Sequence, residues 1–309
     1  MLYSIGEILV DIFEDGDKKT IMPGGAPFNV ACNALLYTKD VAFFGAVGKD
    51  SNGELLLKTA KEKGFKLLNI KQFKDKYTSR AIVSLKDGER SFRFERDSGA
   101  DYQLKVDDID LSNLKDEDIV HIGSLMLSYE SGVKFYNELV KKVRSISNAK
   151  ISFDINYRDD IFSSPKEAKK IFISALKQAD ILKFSIEELE LLTNKKDILE
   201  ALKELLNNKQ IAVITLGSDG SMLYKDGKLI KVPTIKVKPI DTTGAGDAFY
   251  SYFLAFLVND PYFINDEKKV HLNLERANVV GALATQAKGA IGVAPSKEEI
   301  QKFLDLRHN

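Results

Sequence analysis

"LIKVPTIKVKPIDTTGAGDAFYSYFLAFL", residues 229–257, changes periodicity part-way along. Its first half alternates apolar and polar residues, as a strand does; its second half is an apolar run suited to a buried helix. The joint, "DTTGAGDAF" at 241–249, holds two glycines and two aspartates. A strand-like segment turning through glycines into a helix is the building unit of an α/β fold. Small residues at Gly244–Ala245–Gly246 leave the first backbone N–H groups of the helix uncovered, and those donors with the helix dipole favour an anion. Asp247 falls in the first turn, where the dipole is expected to depress its pKa. Two readings stand at this point: a phosphate cradle that carries its own base, or the capped start of a buried helix.

Outward from this joint, strand-length apolar runs recur at 2–10, 41–47, 119–123, 150–155, 181–184 and 211–216. Helical patterns lie between most of them, at 28–37, 52–63, 132–146, 165–178 and 197–206, and helices at 274–288 and 296–305 close the chain. The alternation predicts one α/β domain over 1–309, a mostly parallel sheet with helices on both faces, and ligands bound beyond the carboxyl ends of the strands. The stretch 77–96 is different: it alternates around "KDG", a hairpin signal. With residues 13–22 it is expected to form a small β-sheet lid (about 13–22 and 77–100) or else an ordinary surface hairpin.

Composition narrows the function classes. Lys plus Arg number 45 and Asp plus Glu 45, a balance that argues against a nucleic-acid binder. The single cysteine, Cys32, allows no intrachain disulfide and suits a reducing compartment, hence the cytoplasm. His121, His271 and His308 show no ligand spacing. The start "MLYSIGEILVDIF" lacks a basic segment and reads as a strand, and no apolar run is long enough to cross a membrane. A P-loop, a protein-kinase motif set and a G-x-S-x-G elbow are all absent. The dinucleotide fingerprint fails because Phe249 stands where its last glycine belongs.

Three further stretches fall at expected strand ends. In "PGGAPFNVA", 23–31, Gly24 and Gly25 permit close backbone approach to a ligand and Asn29 can donate and accept. In "FDINYR", 153–158, alternation places Asp154, Asn156 and Arg158 on one face. "ITLGSDGS", 214–221, sets Thr215, Gly217 and Gly220 at another strand end. A tight turn, solvated strand-end polarity and a glycine turn into a hairpin are the plain structural readings of these three.

At these residues the chain resembles the ribokinase-like (pfkB) carbohydrate kinases over nearly its whole length. "PGGAPFNVACNALL" and "DTTGAGDAF" resemble the family's two signatures, and "VGKDSNG" at 47–53, "KFSIEELELLT" and "TLGSDGS" follow in the family's order. The resemblance implies a three-layer fold with a small β-sheet lid, and phosphorylation of a sugar hydroxyl by ATP with Mg2+. It implies Asp247 as the base, with Gly244, Ala245 and Gly246 as the anion hole. Asp11, Gly24, Gly25, Asn29, Arg96 and Arg158 would contact sugar; Lys183, Thr215, Gly217, Gly220 and Asn278 would hold ATP. Glu188 matches the acid of an Asn-x-x-Glu element that governs magnesium, although Ser185 stands at the Asn position. Asp241, Thr243 and Gly289 are candidates for a monovalent cation site, with K+ suited to it. "GGAPFNVA", "FDINYR" and "FRFERDSGAD" look most like bacterial fructokinases, implying D-fructose phosphorylated at the 6-hydroxyl. 2-Keto-3-deoxygluconate is the alternative, since Arg96 and Arg158 could meet its carboxylate; ribose-type sugars rank lower. A non-catalytic sugar sensor and a dinucleotide-dependent oxidoreductase are the readings from other classes. The partners implied are sugar and ATP, with a homodimer through the lid edge as the expected assembly.

Overall fold

A computed structural model describes residues 1–15, 18–86 and 89–308. Its first half runs β1 (Leu2–Ile5), β2 (Leu9–Asp15), β3 (Lys18–Gly24), α1 (Ala26–Ala34), β4 (Val41–Gly48), α2 (Ser51–Lys63), β5 (Leu67–Phe73), β6 (Arg80–Lys86), β7 (Glu89–Glu95), β8 (Ile119–Ile122) and α3 (Glu130–Ile146). There follow β9 (Lys150–Asp154), α4 (Pro165–Leu176), β10 (Ile181–Ser185), α5 (Ile186–Thr193), α6 (Ile198–Leu205), β11 (Ile211–Thr215), β12 (Ser221–Lys225) and β13 (Lys228–Val232). The chain ends with α7 (Ala245–Asn259), α8 (Glu267–Ala284) and α9 (Lys297–His308).

The central sheet has nine strands in the order β13-β12-β11-β10-β9-β8-β1-β4-β5. From β11 to β5 the neighbours are parallel, and the β12–β13 hairpin adds an antiparallel edge. Successive residues of each strand point to opposite faces, and both faces are apolar. Leu2, Val41 and Phe43 pack with helices α1, α2, α7, α8 and α9; Tyr3, Ala42 and Phe44 pack with α3 to α6. This makes the three layers expected of the alternating pattern. Among the described residues no helix is long and apolar enough to cross a membrane.

The second sheet has four strands, β3-β2-β6-β7, and is the small sheet expected as a lid. It differs from the sequence expectation at its root. The run 2–10 reads as one strand but is two, in different sheets. The chain breaks at Gly6, whose φ of 147° suits only glycine, and Glu7–Ile8 carry it from core strand β1 into lid strand β2. The lid therefore begins at Leu9, not near residue 13. The "DG" of the "KDG" signal, at 87–88, lies outside the described residues, but β6 and β7 pair antiparallel across it. Pro23, which has no N–H to donate, is accommodated because β3 is an edge strand.

Two other expectations shift. The strand-like alternation at 229–240 gives a strand only to Val232; Pro233 ends the ladder, and 234–239 run as irregular chain. The helix expected over 274–288 is α8, which starts earlier, capped by Asp266, and stops at Ala284.

"VGKDSNG" joins lid to core. Asp50 caps α2 by accepting from Gly53 N at 2.8 Å, and it also accepts from the Thr78 amide and hydroxyl at the foot of the lid. A Cβ at Gly53 would run into the carbonyl oxygen of Gly48, so the spacing of the motif is set by backbone contact. Replacing Gly53 with Ala is expected to cost roughly 1–3 kcal/mol, as overpacking against backbone does, read as a lowered melting temperature.

Candidate active site

Asn29 is hydrogen-bonded to Asp247, and the charges of Lys183 and Arg158 act on Asp247 while that of Asp247 acts on Asp11, so these parts of the chain converge on one site. α7 begins at its floor. Gly244 is the N-cap at φ 73°, in the left-handed region, and a Cβ there would collide with Ala290. The amides of Gly244 and Gly246 have no hydrogen-bond partner among the described residues, whereas the Ala245 amide donates to the Thr242 carbonyl at 3.2 Å. Two of the three expected anion-hole donors are thus uncommitted.

Asp247 is partly buried beside them and accepts a hydrogen bond from Asn29 Nδ2 at 2.8 Å. Its pKa is raised, contrary to the expectation from the helix dipole. Burial is the largest cause, and the Asn29 bond and the Lys183 charge oppose it without cancelling it. Desolvation of the carboxylate outweighs the dipole, which acts on this group through only one helical turn. The result is a stronger base than the motif alone suggests.

Asp11, on β2, lies on the lid side. Burial pushes its carboxyl up to about 7, the charge of Asp247 adds to this and Arg158 opposes it. The same Arg158 acts on Asp247, so the two carboxylates and this guanidinium share one site. Gly24 lies against Asp11, whose carboxylate occupies the space a Cβ would take. Gly25, at φ 107°, lies against the Glu7 carbonyl oxygen. Both glycines are required by contacts within the chain, which differs from the expectation of bare backbone kept for a ligand. Asn29 Oδ1 is buried with no partner.

Arg96 differs from the sequence expectation. It is buried, with Nε and Nη2 on Asp101 and Nη1 on the Leu125 carbonyl at 2.9 Å and Ser128 Oγ at 2.8 Å. Tyr102 and Tyr129 lie against its guanidinium. This pins the chain where the lid rejoins the core. Arg158 also departs from the strand alternation foreseen for "FDINYR": β9 ends at Asp154, and Asn156 at φ 40° turns the chain. Asp154 instead meets Lys183 in a buried ion pair, Nζ lying 2.9 and 2.8 Å from the two carboxylate oxygens. Burial pulls the Lys183 pKa down, but Asp154 and Glu188 more than offset it, and the net shift is upward. Its ammonium lies just under Gly246, 3.4 Å from where a Cβ would sit.

Ser185 and Glu188 form a capping box at the start of α5: Glu188 N donates to Ser185 Oγ and Ser185 N to Glu188 Oε2. Serine thus does the capping work an Asn would do. Glu188 Oε1 accepts from Tyr157 N at 2.8 Å. Burial raises the pKa of this carboxyl and Lys183 opposes it. Among the described residues no cluster of three or more His, Cys, Asp or Glu could cage a metal.

Beyond the amides of Gly244 and Gly246 a groove of about 610 Å³ runs over α7 and α8. Thr215, Gly217, Gly220 and Asn278, all foreseen, line it. Gly217 opens onto free space, while Gly220 packs against the Val232 carbonyl. Asn278 Nδ2 donates to the Val232 carbonyl at 2.9 Å, holding the far wall. Phe249 and Gly281, not foreseen, also line the groove. Their signal was present: Phe249 is one turn beyond Gly246, and only a small residue at 281 lets α8 approach α7. Behind the hole, Asp241 accepts from Thr243 N at 2.8 Å and Gly289 N at 3.2 Å, so the three candidate cation residues are adjacent.

The pfkB family carbohydrate kinase profile matches residues 4–297. The chain belongs to this family. It is 32% identical over 318 residues to probable fructokinase-2 of Arabidopsis thaliana, covering 99% of this chain and 96% of the relative. It is 32% identical over 302 residues to fructokinase of Vibrio alginolyticus, covering 97% of each. The crystal structure of Vibrio cholerae O395 fructokinase with fructose, ADP and calcium bound aligns at TM-score 0.88 and 31% identity, covering 98% of each chain. A double mutant of that enzyme with fructose, ADP and potassium aligns equally well, covering 98% of this chain and 97% of the other.

For a carboxyl whose folded pKa lies above its unfolded one, stability is full below the unfolded pKa and drains as pH rises through the folded one. For Asp11 that window runs from its ordinary 3.8 to about 7. The melting temperature of this kinase is therefore expected to fall as pH rises across the window, and less steeply in Asp11→Asn, which has no proton to lose; calorimetry at stepped pH checks it.

Proposed function

We propose that the chain is a fructokinase, transferring the γ-phosphoryl of ATP to the 6-hydroxyl of D-fructose. The observation that carries the chemistry is the Asn29-held Asp247 beside the uncommitted amides of Gly244 and Gly246 at the start of α7. Fructose is supported by the relatives, whose name it is at this level of identity over nearly the whole chain.

In this reading fructose lies between lid and core. Asp11 and Asn29 Oδ1 accept its hydroxyls, Arg158 lies alongside, and Gly24 and Gly25 shape the wall. Arg96 acts from behind as the anchor of the lid. The reacting hydroxyl sits on Asp247, which takes its proton as the phosphoryl arrives, and the burial-raised pKa suits that task. Gly244 and Gly246 receive the charge growing on the phosphoryl oxygens, joined by Ala245 once its turn bond to Thr242 is released. ATP occupies the groove, with its phosphates over Gly246 and Lys183 and its base towards Asn278; Thr215, Gly217 and Gly220 support the stretch between.

Mg2+ would lie mainly on phosphates and water, since both Glu188 oxygens already accept backbone amides and the described residues offer no carboxylate cage. Glu188 would act on it through water. The metal neutralises phosphate charge. The loop at Asp241, Thr243 and Gly289 fits a monovalent cation such as K+ by its backbone carbonyls, which are hard oxygen donors.

We also place the protein in the cytoplasm, on its single buried free cysteine, as one domain over 1–309. We expect a homodimer through the lid, where β3 and β7 are edge strands with no further strand beside them among the described residues. Light scattering giving a monomer mass at micromolar concentration overturns the dimer.

The test of function is a sugar panel with coupled ADP detection, in which fructose is expected to give the highest kcat/KM; a clear preference for 2-keto-3-deoxygluconate overturns the sugar. Asp247→Asn is expected to keep fructose binding by calorimetry while kcat falls by about 10²–10⁴ or more. Near-normal turnover in that variant overturns the role of the base.

A further inference from the structure

The segment 286–292, "QAKGAIG", follows α8 and has no strand or helix of its own. It turns through two glycines in the left-handed region, Gly289 at φ 90° and Gly292 at φ 79°. What holds it comes from elsewhere in the chain. Asp241 accepts from the Gly289 amide at 3.2 Å, and Met22 of lid strand β3 packs on Gly289. Asn33, on α1, donates from Nδ2 to the Ala290 carbonyl at 3.0 Å. Asn33 is 1% exposed, so water does not compete for that bond. The methyl of Ala290 fills the space a Cβ would take at Gly244, the first residue of the anion hole.

Asn33 and Asn29 are one turn apart, hence on the same face of α1. Asn29 holds the base; Asn33 holds the segment against which the anion hole rests. We infer that Asn33 is a positioning residue for phosphoryl transfer, placing Ala290 under Gly244 so that α1 sets the base and the anion hole in one frame. This rests on the kinase reading above. A displaced Ala290 lets Gly244 follow it and moves an amide that must meet a phosphoryl oxygen, while Asp11 and Asn29 stay where they are. The effect therefore falls on kcat and not on the sugar KM.

The test uses Asn33→Leu and Asn33→Ala, neither of which can donate, and Ala290→Gly, which keeps the carbonyl but removes the methyl. For the Asn33 variants kcat is expected to fall by about 10- to 100-fold, the scale of a small misplacement of reacting groups, with fructose KM within about two-fold of wild type; Ala290→Gly shifts kcat in the same direction. Amide hydrogen exchange at 287–292, measured without ligands, is expected to quicken in the Asn33 variants while that of α1 and α7 does not. Should either Asn33 variant fail to fold, the other and Ala290→Gly decide the matter. Folded variants with wild-type kcat and unchanged exchange at 287–292 overturn the inference while leaving the kinase reading intact, as does a lowered melting temperature as the sole change. A wild-type protein that phosphorylates no sugar overturns both.

Discussion

The hydrogen bond from Asn29 to Asp247 joins two helix starts 218 residues apart in the chain, and most of the site is arranged around it. A partly desolvated carboxylate in the first turn of α7 is costly unless something holds it. Here one neutral donor and nearby positive charge do so, enough to keep the group in place but not enough to lower its pKa. That balance is what a base for a sugar hydroxyl needs. A tighter cage of donors would make the carboxylate inert, and full exposure would leave it to water. The glycines on either side follow from the same requirement. Gly25 lets α1 start close to the β1–β2 crossing, and Gly244 lets α7 start against Ala290.

A second buried charge group lies underneath. Lys183 and Asp154 are paired in the interior, with Glu188 close by. Such a pair contributes little net stability, because desolvation offsets most of the attraction. Its position under Gly246 would, in the proposed kinase reading, set a fixed positive charge beside the phosphates, held in one geometry by Asp154. The capping box of Ser185 and Glu188 anchors the neighbouring helix start, so β9, β10 and α5 deliver three charged groups to one floor.

Much of this was legible in the sequence because parallel strands buried on both faces read as apolar runs, and because strand-end glycines mark the turns where ligands bind. What misled was local. The run 2–10 hides a change of sheet, since Gly6 and the buried Glu7 do not interrupt the apolar pattern enough to show it. Alternation at 229–240 continues past Pro233 although the ladder does not. Arg96 looks like a lid cation facing substrate, and only the fold shows Asp101, Tyr102 and Tyr129 closing around it. Asn33 gave no signal: a polar residue in an apolar helix has meaning only once the segment at 289–292 is brought against it.

Glu7 shows the same limit from the opposite side. It is buried, neither carboxyl oxygen has a partner among the described residues, and burial pushes its pKa up to about 8. A neutral acid there is consistent with its neighbours, because Asp101 and Asp247 both add to the upward shift and the guanidinium of Arg96, itself held on Asp101, opposes it only in part. The root of the lid and Asp247 are therefore electrostatically linked through Glu7. Of the three acids Glu7, Asp11 and Asp247, Asp247 accepts the hydrogen bond from Asn29, while burial raises Glu7 to about 8 and Asp11 to about 7, so near neutral pH these two do not both add a full negative charge beside it.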